Sequence, residues 1–377
     1  MCEFLNAADR IGARLCRDAL WSHNCCNWTA DFMDSKGTLG HRALTGDLYD
    51  GTSGIALFLF RLANASGERI FRATAEAALR QAISKRPIRG PGLYAGGLGV
   101  FYGELEMHGE VDWKELSRQS EPDPAELDLI SGSAGAIAVL LFAYARSSEQ
   151  RLLDRAIEHG DLLLAQAHRS DEGSSWNTVR AKRHLTGFSH GVAGISWALL
   201  ELYRATGEPR FLVTALDGFR YERAQFDATR GNWPDYRDDR IQFLNAWCHG
   251  AAGVGLSRLR AWQLLGESEM RSEASVALAT TGQHVHSMGN FSLCHGASGN
   301  ADVLISASRV FDDAALLAPV LSLASEALDR FERRRVPWPC GLAGTNELPD
   351  LMLGLAGIGH FYLRLADPAL PTPLLIV

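Results

Sequence analysis

Three stretches decide the fold: SHGVAGISWALL at residues 189–200, CHGAAGVGLSRL at 248–259 and CHGASGNADVLI at 294–305. Each holds a Gly-x-x-Gly tetrad that runs into a following segment. Working outward, the tetrad recurs at Gly51, Gly96, Gly132 and Gly354, so seven copies lie 36 to 59 residues apart. One such tetrad carries no information. Seven at roughly even spacing, each opening onto an apolar segment, mark an internal repeat.

The segments behind the tetrads look alike. IALFLFRLA follows Gly54, AIAVLLFAY follows Gly135 and ISWALLELY follows Gly194. A helix apolar on nearly every side has to be buried on every side. Between the copies lie amphipathic stretches. RLLDRAIEHGDLLLAQ (151–166) sets Leu152, Leu153, Ala156, Ile157, Gly160 and Leu164 on one stripe, with Arg151, Asp154, Arg155 and Glu158 outside it. RIFRATAEAALRQAISK (69–85) and LAPVLSLASEALDRFERR (317–334) read the same way. Period-two runs are scarce, so very little strand is expected.

A helix pair cannot bury its own apolar face, so the pairs must stack. An open stack would leave the inner helices wet on one side, and closure removes that cost. The predicted fold is therefore all-α: a closed α/α toroid of seven helix-pair repeats, seven buried helices inside and seven amphipathic helices outside. Residues 1–47 read as a helical lead-in, 48–367 as the toroid and 368–377 as a tail. The glycines permit a tight turn before each inner helix and close approach of backbones.

Composition narrows the function classes. The 377 residues are 46% hydrophobic and 21% charged, an ordinary globular balance, with a net charge of −7. A nucleic-acid footprint would be basic and clustered. No apolar run approaches the ~18 residues of a membrane span. The first residues place Glu3, Asp9 and Arg10 among apolar positions, which is no secretory signal. Seven cysteines, an odd count, make no disulfide framework and point to a reduced, cytoplasmic setting.

If the repeats superimpose, the residues just before each tetrad share one end of the ring. Immediately before the first glycine stand Asp50, Ala95, Ser131, His190, His249, His295 and Leu353. One place earlier stand Tyr49, Tyr94, Ile130, Ser189, Cys248, Cys294 and Met352. Three histidines and two cysteines thus fall in neighbouring repeats in matching register. Thiolate plus imidazole suits zinc. Two cysteines and one histidine make three protein ligands, which leaves a tetrahedral position open, as catalytic zinc sites do. Spacing leaves open which histidine binds. His190 has no cysteine beside it and is free to act as acid or base. Asp128, four residues before Gly132, sits near the same end as either a turn residue or a partner for a histidine. Cys2, Cys16, Cys25 and Cys26 precede the first repeat and read as packing or surface thiols, and Cys340 as a loop residue. The polar loop Trp233-Pro234-Asp235 with Arg237, Asp238, Asp239 and Arg240 is placed at a substrate mouth.

TGFSHGVAGISWALL, AWCHGAAGVGLSRL, SLCHGASGN and PDLMLGLAGIGHFYLRL resemble the lanthionine synthetase cyclase (LanC-like) family, from about Leu48 to Asp367. His249 after Cys248, the NWPDYRDD loop and the LRLADP ending are most similar to the cyclase domain of class II lanthipeptide synthetases. The resemblance implies a zinc-containing double α-barrel. It implies Zn²⁺ on Cys248, Cys294 and His295, an acid–base role for His190 and an accompanying Asp128. Class I members carry an arginine four places before the first zinc cysteine; Leu244 stands there, so Arg237 or His249 takes over that work. The implied activity is addition of peptide cysteine thiolates to dehydroalanine or dehydrobutyrine. A dehydrated precursor peptide is the implied partner. Gly51 leaves no room before it for a dehydratase, so a separate dehydratase or kinase/lyase protein is expected, or else excision from a longer synthetase. The competing expectation is a non-catalytic ring that binds peptide as a scaffold. A third, a ring-shaped glycosidase or terpenoid transferase, would need paired carboxylates or an Asp-rich metal site, which do not line up.

Overall fold

The computed structural model describes every residue except 1, 35, 36, 87–89, 180, 343, 345 and 377. Each tetrad opens an inner helix: α2 (Thr52–Ser66), α4 (Leu98–His108), α6 (Ser133–Ser147), α8 (Val192–Thr206), α10 (Ala251–Leu265), α12 (Ala297–Phe311) and α14 (Leu355–Ala366). Each packs on the next, and α14 packs back on α2, so the inner ring is closed. Outer helices α3 (Arg69–Ser84), α5 (Trp113–Gln119), α7 (Gln150–Gln166), α9 (Pro209–Ala224), α11 (Ser268–His284) and α13 (Ala318–Ala327) follow their inner partners. The seventh outer helix comes from the other end of the chain: α1 (Cys2–Asp18) packs on α14. The molecule is a closed α/α toroid.

Periodicity placed the helices well and their faces less well. The buried face of α7 consists of Leu152, Leu153, Ala156, His159, Gly160 and Leu163, while Ile157 and Leu164 are only half-buried. His159 is buried because Ser133 Oγ and Ser120 O lie 3.0 and 2.8 Å from its two ring nitrogens. Strand is confined, among the described residues, to three short antiparallel hairpins. They are β1 (Leu20–Ser22) with β2 (Cys25–Asn27), β3 (Thr29–Met33) with β4 (Leu39–Ala43), and β5 (His168–Ser170) with β6 (Gly173–Ser175). The stretch read as a lead-in thus supplies α1 and two hairpins. The tail folds back under the ring: Pro371 O accepts from Arg61, Pro373 O from the Tyr94 hydroxyl and Leu374 O from the Trp247 indole.

A cycle of backbone hydrogen bonds runs around one mouth of the bore, through the residues two places before the tetrads. Met352 N–H donates to Tyr49 O (3.0 Å), Tyr49 to Tyr94 O (3.0 Å) and Tyr94 to Ile130 O (3.0 Å). Ser189 donates to Cys248 O (3.1 Å), Cys248 to Cys294 O (3.2 Å) and Cys294 to Met352 O (3.0 Å). The third repeat joins through Leu129 N–H to Ser189 O (3.2 Å). At the other end, buried ion pairs join neighbouring inner helices: Arg61–Glu106 (2.7 Å), Arg260–Glu201 (2.5 Å) and Arg364–Asp302 (2.5 Å).

The second glycine of every tetrad has one steric reason. A Cβ there would lie 1.8–2.4 Å from the carbonyl oxygen three residues before the tetrad, in all seven copies. No side chain fits that gap. Gly357→Ala should therefore destabilise by about 1–3 kcal/mol, the usual cost of overpacking. Gly282→Ala in α11 meets nothing within 4 Å and should stabilise by up to about 1 kcal/mol through helix propensity. Thermal unfolding of both variants checks this; equal midpoints would remove the steric account of the repeat.

Candidate functional site

The backbone cycle holds Cys248 and Cys294 side by side. Both line a cavity of about 590 Å³ at that mouth, with His295, His190, Arg237, Tyr49 and Asp50 among its walls. One ligand atom from each of Cys248, Cys294 and His295 lies within 4.8 Å of the others. His295 Nε2 donates to Gly341 O at 2.7 Å, which fixes the tautomer and leaves Nδ1 with a free lone pair. The donor chemistry fits a divalent, thiophilic ion. Without one, the two sulfurs compete for a proton. The Cys294 thiol donates to Cys248 and holds the Cys248 pKa below its ordinary value, against burial, with Arg237 and His190 assisting. Cys294, as the donor and beside that charge, is pushed well above. A cation between them removes the competition.

His190 faces the same cavity and meets Asp128 through Nδ1–Oδ2 at 2.5 Å. The turn reading and the partner reading of Asp128 are both correct. Its Oδ1 accepts Ser131 N–H at 2.8 Å, and Asp47 and Asp350 close the equivalent turns of their repeats in the same way. Only Asp128 spends its second oxygen on a histidine of the register. Burial lowers the pKa of His190, but the hydrogen bond and charge of Asp128 outweigh it and leave the imidazole above its ordinary value. Nε2 is then the nitrogen left to the cavity.

His249 stands elsewhere. It is 1% exposed, is not among the cavity walls and stacks behind His190 with ring centroids 6.0 Å apart. Burial and the repulsion of Arg237 push its pKa down to about 3, so it packs as a neutral ring. The NWPDYRDD loop does reach the mouth: Arg237 lines the cavity, clamped by Asp235 through Nε (2.9 Å) and Nη2 (2.6 Å). Cys340 lies apart, its sulfur accepting Leu348 N–H at 3.3 Å.

One support was invisible to the register. Glu222 on α9 accepts Gly187 N–H (2.9 Å) and Ala193 N–H (3.0 Å), bracketing the His190 turn where Gly187 takes the place of the turn aspartate. Its other oxygen meets the fully buried Arg258 of α10 at 3.0 Å. Tyr49, which the register does place, lines the same cavity as both cysteines.

The sequence model described as "Lanthionine synthetase C-like protein" matches residues 42–375. The chain belongs to that family. It is 24% identical over 376 residues to the lacticin 481/lactococcin biosynthesis protein LcnDR2 of Lactococcus lactis subsp. lactis, covering 91% of this chain and 38% of that protein. The chain thus spans well under half the length of that relative. A second relative, glutathione S-transferase LANCL1 of Danio rerio, is 23% identical over 85% of this chain and 82% of its own length. Among solved structures, nisin cyclase superposes with a TM-score of 0.66 at 16% identity, covering 85% of this chain and 88% of that one. The GH76 alpha-mannanase BT2949 of Bacteroides thetaiotaomicron shares the fold at a TM-score of 0.53 and 10% identity, over 96% of this chain and 95% of its own. Glycosidases ordinarily need two carboxylates flanking the bond. Among the described residues the cavity walls offer Asp50 alone.

Asp128→Asn should lower the pKa of His190, because burial is then opposed only by the charge of Cys248. Imidazole proton NMR of protein stripped of metal measures this. The sign of the linkage follows. A pKa raised in the folded state stabilises the fold fully below the unfolded value of ~6.5 and ceases to do so as pH rises through the folded value. The stability gap between wild type and Asp128→Asn should therefore narrow as pH rises through that range; a widening gap would contradict the pair.

Proposed function

We propose that the chain is a zinc-dependent lanthipeptide cyclase, forming lanthionine-type thioether rings in a dehydrated precursor peptide. The observation that carries this reading is the convergence of Cys248, Cys294 and His295 on one point of a cavity that also holds the His190–Asp128 pair. Cys248, Cys294 and His295 would hold the ion, which supplies a thiolate at neutral pH where a free thiol has a pKa of ~8.5. Two thiolates, a neutral imidazole and Zn²⁺ sum to zero charge, so a substrate thiolate keeps its own negative charge and its nucleophilicity.

The remaining steps belong to the side chains. The thiolate forms the S–Cβ bond to dehydroalanine or dehydrobutyrine, the Cα–Cβ double bond opens, and charge collects on the amide oxygen as an enolate. Protonated His190, oriented by Asp128, delivers a proton to Cα. Arg237, fixed by Asp235, sits at the mouth with a charge suited to that enolate. Glu222 keeps the His190 turn in place. The dehydration itself belongs to a separate dehydratase or kinase/lyase activity, and the free thiols suit a reducing, cytoplasmic setting. No helix among the described residues is long and apolar enough to cross a membrane.

Elemental analysis should find one Zn²⁺ per chain, lost in Cys248→Ala and in Cys294→Ala. His190→Ala should keep its zinc and cyclise ~10²–10⁴-fold more slowly, the usual contribution of a positioned acid or base. Cyclisation leaves the mass unchanged, so the assay is alkylation of residual peptide thiols followed by mass spectrometry. Full zinc in both cysteine variants would refute the ligand set. Wild-type zinc and peptide binding without protection from alkylation would favour the scaffold. Transfer of added glutathione onto the dehydrated peptide, seen as a mass increase, would favour an intermolecular thiol transferase.

A further inference from the structure

Asp50 directly precedes the first tetrad, in the register of His190 and His295, and the steps above give it no part. It lines the reaction cavity and also a smaller one of about 180 Å³ beside it. The hairpin of β3 and β4 lines that smaller cavity with Ala30, Phe32 and Met33, and Leu44, Leu348 and Leu353 complete the apolar part of its wall. Arg42 of β4 stands at the junction: its Nη2 donates to Asp50 Oδ2 at 3.3 Å, and its guanidinium lies 4.5 Å over the Phe32 ring. A second link runs through Gly341, whose carbonyl accepts from His295 Nε2 and whose N–H donates to Leu353 O, each at 2.7 Å. The backbone cycle accounts for this closeness. His295, Leu353 and Asp50 directly precede the tetrads of three consecutive repeats, so they follow one another around the mouth.

The smaller cavity has acids in its wall, and each has a partner. Asp31 meets His41 Nδ1 at 2.9 Å, Asp50 meets Arg42, and Asp350 accepts Leu353 N–H at 2.7 Å. Burial pushes the pKa of Asp350 up to about 8, so it keeps its proton at neutral pH. What remains to a ligand is aliphatic and aromatic surface. We propose that this cavity is a side-chain subsite for the precursor peptide: it takes one apolar side chain flanking the ring-forming residues while these occupy the reaction cavity. This deepens the cyclase reading and rests on it for the nature of the ligand. Two features favour a peptide. The space suits one side chain of leucine size, and the wall it shares with the reaction cavity lets one chain occupy both. Burying such a side chain removes its apolar surface from water, whereas a carboxylate placed there would have to leave water beside apolar walls.

The probes are synthetic peptides holding one cysteine and, in place of dehydroalanine, an alanine, so that nothing reacts. Each carries leucine, alanine or aspartate beside one of those two positions. Titration calorimetry with the full-length, zinc-supplemented protein should show the leucine peptide binding ~10–100-fold tighter than the alanine peptide at one of the positions, with aspartate weakest. Ala30→Leu fills the cavity and should erase the leucine preference while the alanine peptide binds as before. Met33→Asp should erase it too; this residue is 44% exposed, so its replacement leaves the core intact. Leu20→Asp, an exposed position on β1 outside the cavity wall, should change nothing. Equal binding of the three peptides to wild type, or no binding of any, would overturn the subsite. So would a leucine preference that survives both Ala30→Leu and Met33→Asp, or one that is lost equally in Leu20→Asp. Cyclisation of the matching dehydrated peptides without any preference would leave the cyclase reading standing and remove this proposal. A preference that depends on Ala30 and Met33, with no cyclisation of those dehydrated peptides, would support the subsite and count against the cyclase reading.

Discussion

Seven backbone hydrogen bonds around one mouth of the bore govern everything built above them. They tie each repeat to the next at the residue two places before its tetrad, or three places in the third repeat, and the last repeat to the first. Their partners are main-chain groups, so the cycle needs no particular side chain. What it needs is close approach, and a Cβ on the second glycine of each tetrad would collide with the carbonyl three places before it. The glycines thus do more than turn the chain. They let seven helix starts gather near one axis, which frees the side chains of that register for chemistry. Cys248 and Cys294 are neighbours because Cys248 N–H donates to Cys294 O; the metal-binding set inherits its spacing from the cycle.

The sequence shows this architecture because burial is written locally. A helix apolar all round and a helix apolar on one face announce inside and outside without reference to the rest of the chain. Closure is not local. That α1 is the outer partner of α14 depends on residues at opposite ends of the chain, and nothing in Cys2–Asp18 distinguishes it from a lead-in helix. The hairpins between Leu20 and Ala43 escaped for another reason: strands of three to five residues show little periodicity. The return of the tail beneath the ring rests on its carbonyls, which sequence does not display.

The same division applies to the site. Register identified the residues that gather at the mouth, since superposed repeats share positions. It carried no information on which way a side chain turns. His249 and His295 hold the same place before their tetrads, yet His295 enters the cavity while His249 lies buried behind His190. Tyr49 and Tyr94 diverge in the same manner. Asp128 was ambiguous because a carboxylate has two oxygens, and here one closes a turn while the other meets a histidine. Glu222 was invisible because it acts from an outer helix, where a buried carboxylate looks like any surface acid in the sequence. Its burial is costly and is offset by Arg258 and two backbone N–H groups, so this pair contributes position more than stability.

The direction of the helices completes the electrostatic argument. Every tetrad precedes its inner helix and the backbone cycle gathers the tetrads at one mouth of the bore, so the seven inner helices start there and run the same way. Each terminus carries a partial positive charge of roughly half a unit, felt within its first turn. That end therefore favours the thiolate form of Cys248 and the anionic charge of an enolate. The opposite end collects seven negative termini, and there the chain sets Arg61, Arg260, Arg364 and Arg309. Arg309 gives its Nη1 to Pro368 O at 2.7 Å, and the other three pair with carboxylates of adjacent inner helices. One topological choice, helices that all start where the repeats converge, makes one mouth suited to anionic sulfur chemistry. At the other end it gathers arginines and a returning tail around a second cavity of about 470 Å³. A ring of alternating inner helices would bury as much apolar surface and would offer neither.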